Sequence, residues 1–217
     1  VVDWTTVSSL ATGAGTLVLA VATFASVRSA NRAARVAERS LMTGLRPLLV
    51  PSRLDDNPLK VFFQGGDHVM VAGGRAVAQE LDGAVLLAMS LRNAGNGLAV
   101  LHGWRFYPED IRGDHRPGPD DFKNLTRDLY VAPSDVGFWQ GAFRDPGQPD
   151  YEVARQAIKD GGPLTVDLLY GDNEGGQRMI SRYVLRRAGD DTYLNSSTRH
   201  WNVDRPDPRS LDRPGPQ

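Results

Sequence analysis

The stretch Val85-Leu86-Leu87-Ala88-Met89-Ser90-Leu91-Arg92-Asn93-Ala94-Gly95-Asn96-Gly97-Leu98-Ala99-Val100-Leu101-His102-Gly103-Trp104-Arg105-Phe106 holds two runs of period two on either side of a pair of glycines, and marks the chain as β-rich. Val85, Leu87, Met89 and Leu91 alternate with Leu86, Ala88, Ser90 and Arg92, and beyond the glycines Leu98, Val100, His102, Trp104 and Phe106 fall on every second position. A period of two sends successive side chains to opposite faces of a strand, whereas a helix needs apolar residues three and four apart. Between the two runs, Gly95 and Gly97 superficially suggest a dinucleotide loop. That fingerprint requires a third Gly or Ala at position 100 and a helix after it, but Val100 opens an alternating strand. The glycines are therefore read as a turn joining two strands.

Farther along, Leu164, Val166, Leu168 and Tyr170 form another alternating run. Residues 179–187 are its expected partner across the Gly171-Asp172-Asn173-Glu174-Gly175-Gly176 turn. Shorter strands are expected near 60–64, 68–72, 129–131, 137–143 and 199–203, and one short helix at about 151–159. A series of short strands separated by turn residues predicts a mainly-β domain, an immunoglobulin-like antiparallel β-sandwich over 46–203.

The amino-terminal part reads differently. Residues 4–27 carry no charge, and an arginine series follows at Arg28, Arg32, Arg35 and Arg39. As a helix those residues would be about 36 Å long, enough to cross a hydrocarbon core of about 30 Å with some tilt. A transmembrane anchor is expected over 1–27. The charge before it is Asp3 and the basic residues come after, the reverse of a cleavable signal peptide. The positive flank places the amino terminus outside and the following domain in the cytoplasm of a cell membrane crossed once.

Residues 29–45 are rich in Ala, Arg, Glu and Leu, with no proline before Pro47, so the helix is expected to continue as a juxtamembrane segment over 28–45. Arg28, Arg32, Arg35 and Arg39 step by four, three and four and share one side, suited to lipid head groups or a partner. Ser9, Gly13, Thr16, Ala20, Thr23, Val27, Ala30, Ala34, Ala37 and Leu41 step in the same way on nearly the opposite side. A line of mostly small residues at a 3.5-residue period is how membrane helices approach one another closely, and it predicts packing with itself or with another membrane protein. The segment is rich in small residues at most phases, but Leu10, Leu17, Val21 and Phe24 gather bulk on a neighbouring, lipid-facing side.

Composition limits the remaining choices. The chain holds 25 Lys and Arg against 26 Asp and Glu. The first 51 residues have a balance of +3 and the rest −4, so the globular part is mildly acidic and poorly suited to nucleic acid. With no cysteine, a disulfide framework and a thiolate site are both excluded. The last segment, 204–217, is proline-rich with Leu211 as its large apolar residue, and is expected to be disordered or extended.

Two short motifs carry a resemblance. Arg46-Pro47-Leu48-Leu49-Val50-Pro51 and Asn93-Ala94-Gly95-Asn96-Gly97-Leu98-Ala99, behind a membrane helix, are similar to a recurrent arrangement in mostly uncharacterised bacterial single-pass proteins. The resemblance implies an amino-terminal transmembrane helix, a juxtamembrane helix and an immunoglobulin-like β-sandwich, and no activity. The stretch 110–121 lies outside it.

Motifs for catalysis are missing. There is no G-x-S-x-G elbow, no G-x-x-x-x-G-K-[ST] loop and no H-E-x-x-H helix. His68, His102, His115 and His200 lie in different elements; His115 with Asp120 and Asp121 reads first as a solvated loop rather than a metal site. Trp104 is expected in the core, and Phe138-Trp139 and Trp201 either in the core or at a contact. The expectation is a non-enzymatic accessory or scaffold subunit without catalytic, cofactor or metal residues, which assembles through its helix. The alternative is a membrane-anchored sensory module whose sandwich binds a ligand or soluble protein.

Overall fold

The computed structural model describes residues 4–206, with the side chains of residues 4–12, 39, 42 and 43 outside that description. The expected tail beyond Pro206 is likewise outside it. The chain divides after Gly44 into two compact units. The first is a single helix, α1 (Trp4–Gly44), which runs unbroken through the arginine series. With no proline until Pro47, nothing in its interior removes a backbone hydrogen bond.

The second unit is an antiparallel β domain. Its strands are β1 (Leu49–Pro51), β2 (Leu59–Phe62), β3 (His68–Val71), β4 (Arg75–Leu81), β5 (Ala84–Asn93), β6 (Ala99–Tyr107), β7 (Lys123–Val131), β8 (Val136–Phe143), β9 (Leu164–Gly171), β10 (Met179–Arg187) and β11 (Thr192–Asn202). One short helix, α2 (Pro149–Asp160), lies between β8 and β9. Nine strands form one sheet in the order β1-β5-β4-β11-β10-β9-β6-β7, with β8 on the other edge of β5, while β2 and β3 make a separate hairpin.

The expected antiparallel β domain is present as one curled sheet rather than a clear immunoglobulin-like sandwich, and the strand that makes it continuous is β11. It pairs with β10 along almost its whole length, from Tyr193 to Asn202, and its first residues, Thr192, Tyr193 and Leu194, pair on the other edge with β4. One long strand thus joins what would otherwise be two sheets. The glycine turn makes the same point, since β5 and β6 do not pair with each other: β5 lies between β8 and β4, and β6 between β9 and β7. The turn crosses from one wall of the curl to the other.

The curl wraps a core. Val85, Leu87, Met89 and Leu91 of β5 face it together with Leu164, Val166, Leu168 and Tyr170 of β9, as the alternation requires. Trp104 and Trp139 meet edge to face at 5.3 Å between ring centroids, and Trp104 meets Phe143 at 5.2 Å. The helix α2 adds Tyr151, Ala154, Ala157 and Ile158 from one face. It begins with Pro149 in its first turn and stops at Gly161, whose left-handed backbone suits glycine.

The opposite face of β5 is also covered, by the β2–β3 hairpin. Leu86 and Ala88 pack there with Val61, Phe63, Val69 and Val71. This explains why the apolar run in β5 is continuous rather than strictly alternating.

Candidate functional site

The helix line and the arginine line both lie on α1. Gly13, Thr16, Ala20, Thr23, Val27, Ala30, Ala34, Ala37 and Leu41 are exposed, as are Arg28, Arg32 and Arg35. The side chains of Ser9 and Arg39 fall outside the described residues. Thr23 donates its hydroxyl to the Leu19 carbonyl at 2.8 Å, so its polar atom is satisfied within the helix. A Cβ at Gly13 would meet nothing within 4 Å. Leu17, Val18, Leu19, Val21 and Phe24 are each more than 60% exposed, and the helix is long and apolar enough to cross a membrane.

In the β domain, the two motifs of the sequence resemblance form one device. Asn93 is fully buried. Its side-chain amide donates to the carbonyls of Gly97 at 2.6 Å and Val131 at 3.0 Å. Its side-chain oxygen accepts from the Leu48 N–H at 3.1 Å and the Gly95 N–H at 3.0 Å. Strand β7, the glycine turn and the segment leading into β1 are thereby tied at a single side chain.

The glycines are needed because that lead-in segment passes against the turn. A Cβ at Gly97 would overlap the Leu45 carbonyl oxygen, and one at Gly95 the Arg46 carbonyl oxygen. Two buried tyrosines complete the hold on β1: Tyr170 accepts from the Leu49 N–H at 3.2 Å, and Tyr183 donates to the Leu49 carbonyl at 2.8 Å. Burial raises the pKa of both phenols, so both stay protonated and neutral.

A second feature is a cleft at the seam of the curl. Strand β7 ends the sheet order and β8 lies on the outer edge of β5; the two are consecutive in the chain, yet they do not pair. They lie close at Val131 and Gly137, where a Cβ on Gly137 would stand 2.8 Å from a Val131 methyl, and then open into a cavity of about 450 Å³. Its floor is aromatic, from Trp104 and Phe143, and Phe62 and Phe63 of the hairpin region border it.

Cations stand at this cleft. The Lys123 ammonium lies 4.8 Å from the Phe143 ring centroid and pairs with Asp150. Arg127 spans the opening, donating to the Gln140 side-chain oxygen at 2.7 Å and the Phe62 carbonyl at 3.3 Å. Arg144 and Asp145 lie beyond it. Nothing in the sequence marks this cleft, because the polar pattern of residues 123–128 hides the first half of β7 and the turn at Pro133-Ser134-Asp135 reads as an ordinary hairpin.

Other polar clusters are structural. Asp167 and Arg182, both buried, form a bidentate pair with two 2.7 Å bonds, the guanidinium lying 5.1 Å from the Trp201 ring and 5.6 Å from that of Tyr107. Arg178 grips Asp204 through three side-chain bonds of 2.7, 3.1 and 3.3 Å, which lowers the carboxyl pKa. His102 borders a hollow with Asp172 and Arg178, and burial followed by the Arg178 charge lowers its pKa. Among the described residues no three His, Asp or Glu side chains are grouped as a metal ion would require. His115 makes no cluster with Asp120 and Asp121; Asp121 instead pairs with Arg105 at 3.0 Å.

No protein-family model matches the chain, and none of the curated proteins does. Among solved structures it is similar to a crystal structure of a protein from Archaeoglobus fulgidus, at 12% identity over 59% of this chain and 93% of that one, with a TM-score of 0.23. A likeness at that level carries no argument about fold or activity.

Proposed function

We propose that this chain is a non-enzymatic single-pass membrane protein, an accessory or scaffold subunit whose helix assembles with itself or with a membrane complex and holds the β domain on the cytoplasmic side. One observation carries the reading: α1 is forty-one residues long and leaves Leu17, Val18, Leu19, Val21 and Phe24 uncovered. In water that apolar surface is unfavourable by about 25 cal/mol per Å², a cost that lipid or helix neighbours remove. The arginines after it suit a cytoplasmic leaflet, where anionic lipids gather. The resemblance of Arg46–Pro51 and Asn93–Ala99 to bacterial single-pass proteins points the same way.

Because the chain has no cysteine, single cysteines can be placed at will. Thiol crosslinking in native membranes is expected to be stronger at Ala30, Ala34 and Ala37 than at Arg32 and Arg35. Equal crosslinking at both sets would remove the helix seam as the assembly surface. A reporter fused to the carboxyl end and active outside the cytoplasm alone would overturn the orientation.

The seam cleft favours a second reading, in which the β domain is a sensory module that binds a ligand or a soluble protein. Its cavity lies within the roughly 300–1,000 Å³ range of binding clefts and combines an aromatic floor with converging polar groups.

A further inference from the structure

We propose that the seam between β7 and β8 receives an acidic, extended segment of a partner protein, which adds to the sheet as a strand. The inference rests on the reading of this domain as a partner-binding module, and it names the surface and the chemistry of the partner.

The backbone supplies the first argument. Strand β8 pairs with β5 along Val136–Phe143, and its other edge has no strand partner among the described residues. On the facing side, the register between β6 and β7 jumps from Leu101↔Leu129 to Gly103↔Asn124. Strand β7 pairs with β6 alone, so among the described residues its edge toward the cleft has no strand partner either, and the jump leaves Leu125, Thr126, Arg127 and Asp128 out of the β6 ladder as well. Two open strand edges face each other across one cleft, and an exposed edge is a template for another chain.

Charge supplies the second. The cleft is lined by three cations, Lys123, Arg127 and Arg144, and one anion, Asp145, although the globular part of the chain is mildly acidic overall. Lys123 is already matched by Asp150. Arg127 is held by neutral oxygens, and among the described residues neither it nor Arg144 has a carboxylate within ion-pair distance. A strand with carboxylates on alternate residues would present them to both arginines and leave the intervening side chains for the aromatic floor and the half-exposed Phe62.

Arg127 spans the opening from a side chain rather than from the backbone, so an incoming carboxylate can replace the Gln140 and Phe62 oxygens without disturbing a strand ladder. The guanidinium gains a full opposite charge in place of two neutral oxygens, and a carboxylate can accept from its fork in bidentate fashion, which favours the exchange.

The test uses the full chain in detergent micelles and a fluorescein-labelled peptide alternating Val and Glu, followed by fluorescence anisotropy. Saturable binding is expected. A peptide alternating Val and Lys is expected not to bind, and N-methylation of alternate backbone amides in the Glu peptide is expected to abolish binding. Arg127→Gln with Arg144→Gln should weaken the Glu peptide roughly tenfold, as two rim ion pairs would. Arg127→Glu with Arg144→Glu should reverse the preference toward the Lys peptide, an outcome a merely unfolded variant does not give. The proposal is overturned by absent binding of the Glu peptide, by equal binding of the two peptides, or by affinity unchanged in the Gln variant. Failure here leaves the crosslinking pattern along α1 to decide the assembly reading separately.

Discussion

Replacing Asp167 by asparagine is expected to destabilise the β domain by about 3–5 kcal/mol, the cost of leaving a buried guanidinium without its partner. The pair has no solvent to fall back on: Asp167 is 0% and Arg182 2% exposed. The two residues face each other across β9 and β10, and both carboxylate oxygens are used. Tyr107 and Trp201 flank the guanidinium, so water does not replace the lost carboxylate. The double change Asp167→Leu with Arg182→Met should recover most of the loss, since an apolar pair of similar volume needs no desolvation of charge. Urea unfolding of the full chain in detergent, followed by tryptophan fluorescence, measures both. A single-variant loss below about 1 kcal/mol, the range of an exposed ion pair, would contradict the buried assignment.

The second large effect lies at Asn93. Its change to alanine strands two buried carbonyls, those of Gly97 and Val131, and two partly buried N–H groups, those of Leu48 and Gly95. Each unsatisfied buried group costs roughly 1–3 kcal/mol, and with partial relaxation a total loss of about 4 kcal/mol is expected. Gly97→Ala should act at the same place by another route, pushing the Leu45 carbonyl away from the turn and releasing the lead-in segment. The two changes share one device, so together they should cost clearly less than their sum. Additive losses would show that the turn and the lead-in segment are held independently. Hydrogen exchange at the Leu48 and Gly95 amides reads the same event locally, and faster exchange is expected in both variants.

The strands with strong alternation were legible from the residues: β5, β6, β9, β10 and the short helix α2 fall where the pattern puts them. The topology was not. It depends on β11, whose first half, Thr192-Tyr193-Leu194-Asn195-Ser196-Ser197, is polar enough to read as a loop, because its outward side chains meet solvent and its inward ones are Tyr193 and Asn195. Strand β4 was hidden for the opposite reason. Ala76, Val77 and Ala78 are consecutively buried between the core and the hairpin, so no alternation remains to be seen. A sandwich was expected because pairing partners carry no local signature, and one long strand joining two groups turns a sandwich into a curl.

The seam illustrates a related limit. Lys123, Arg127 and Gln140 are individually ordinary surface residues, and their meeting across a cleft follows from the closure of the sheet rather than from any spacing in the chain. The Asn93 device is an intermediate case. Its motif was recognisable from the glycines, but that it clamps Arg46 to Leu49 is a fact of the fold.

Anchoring of the chain in a membrane by α1 can be measured by alkaline carbonate extraction of membranes from cells expressing the full chain. The chain is expected to stay with the membrane pellet at high pH and to be released by detergent. Quantitative release into the carbonate supernatant would show that α1 does not span the bilayer, since a spanning helix is not removed by stripping charge interactions.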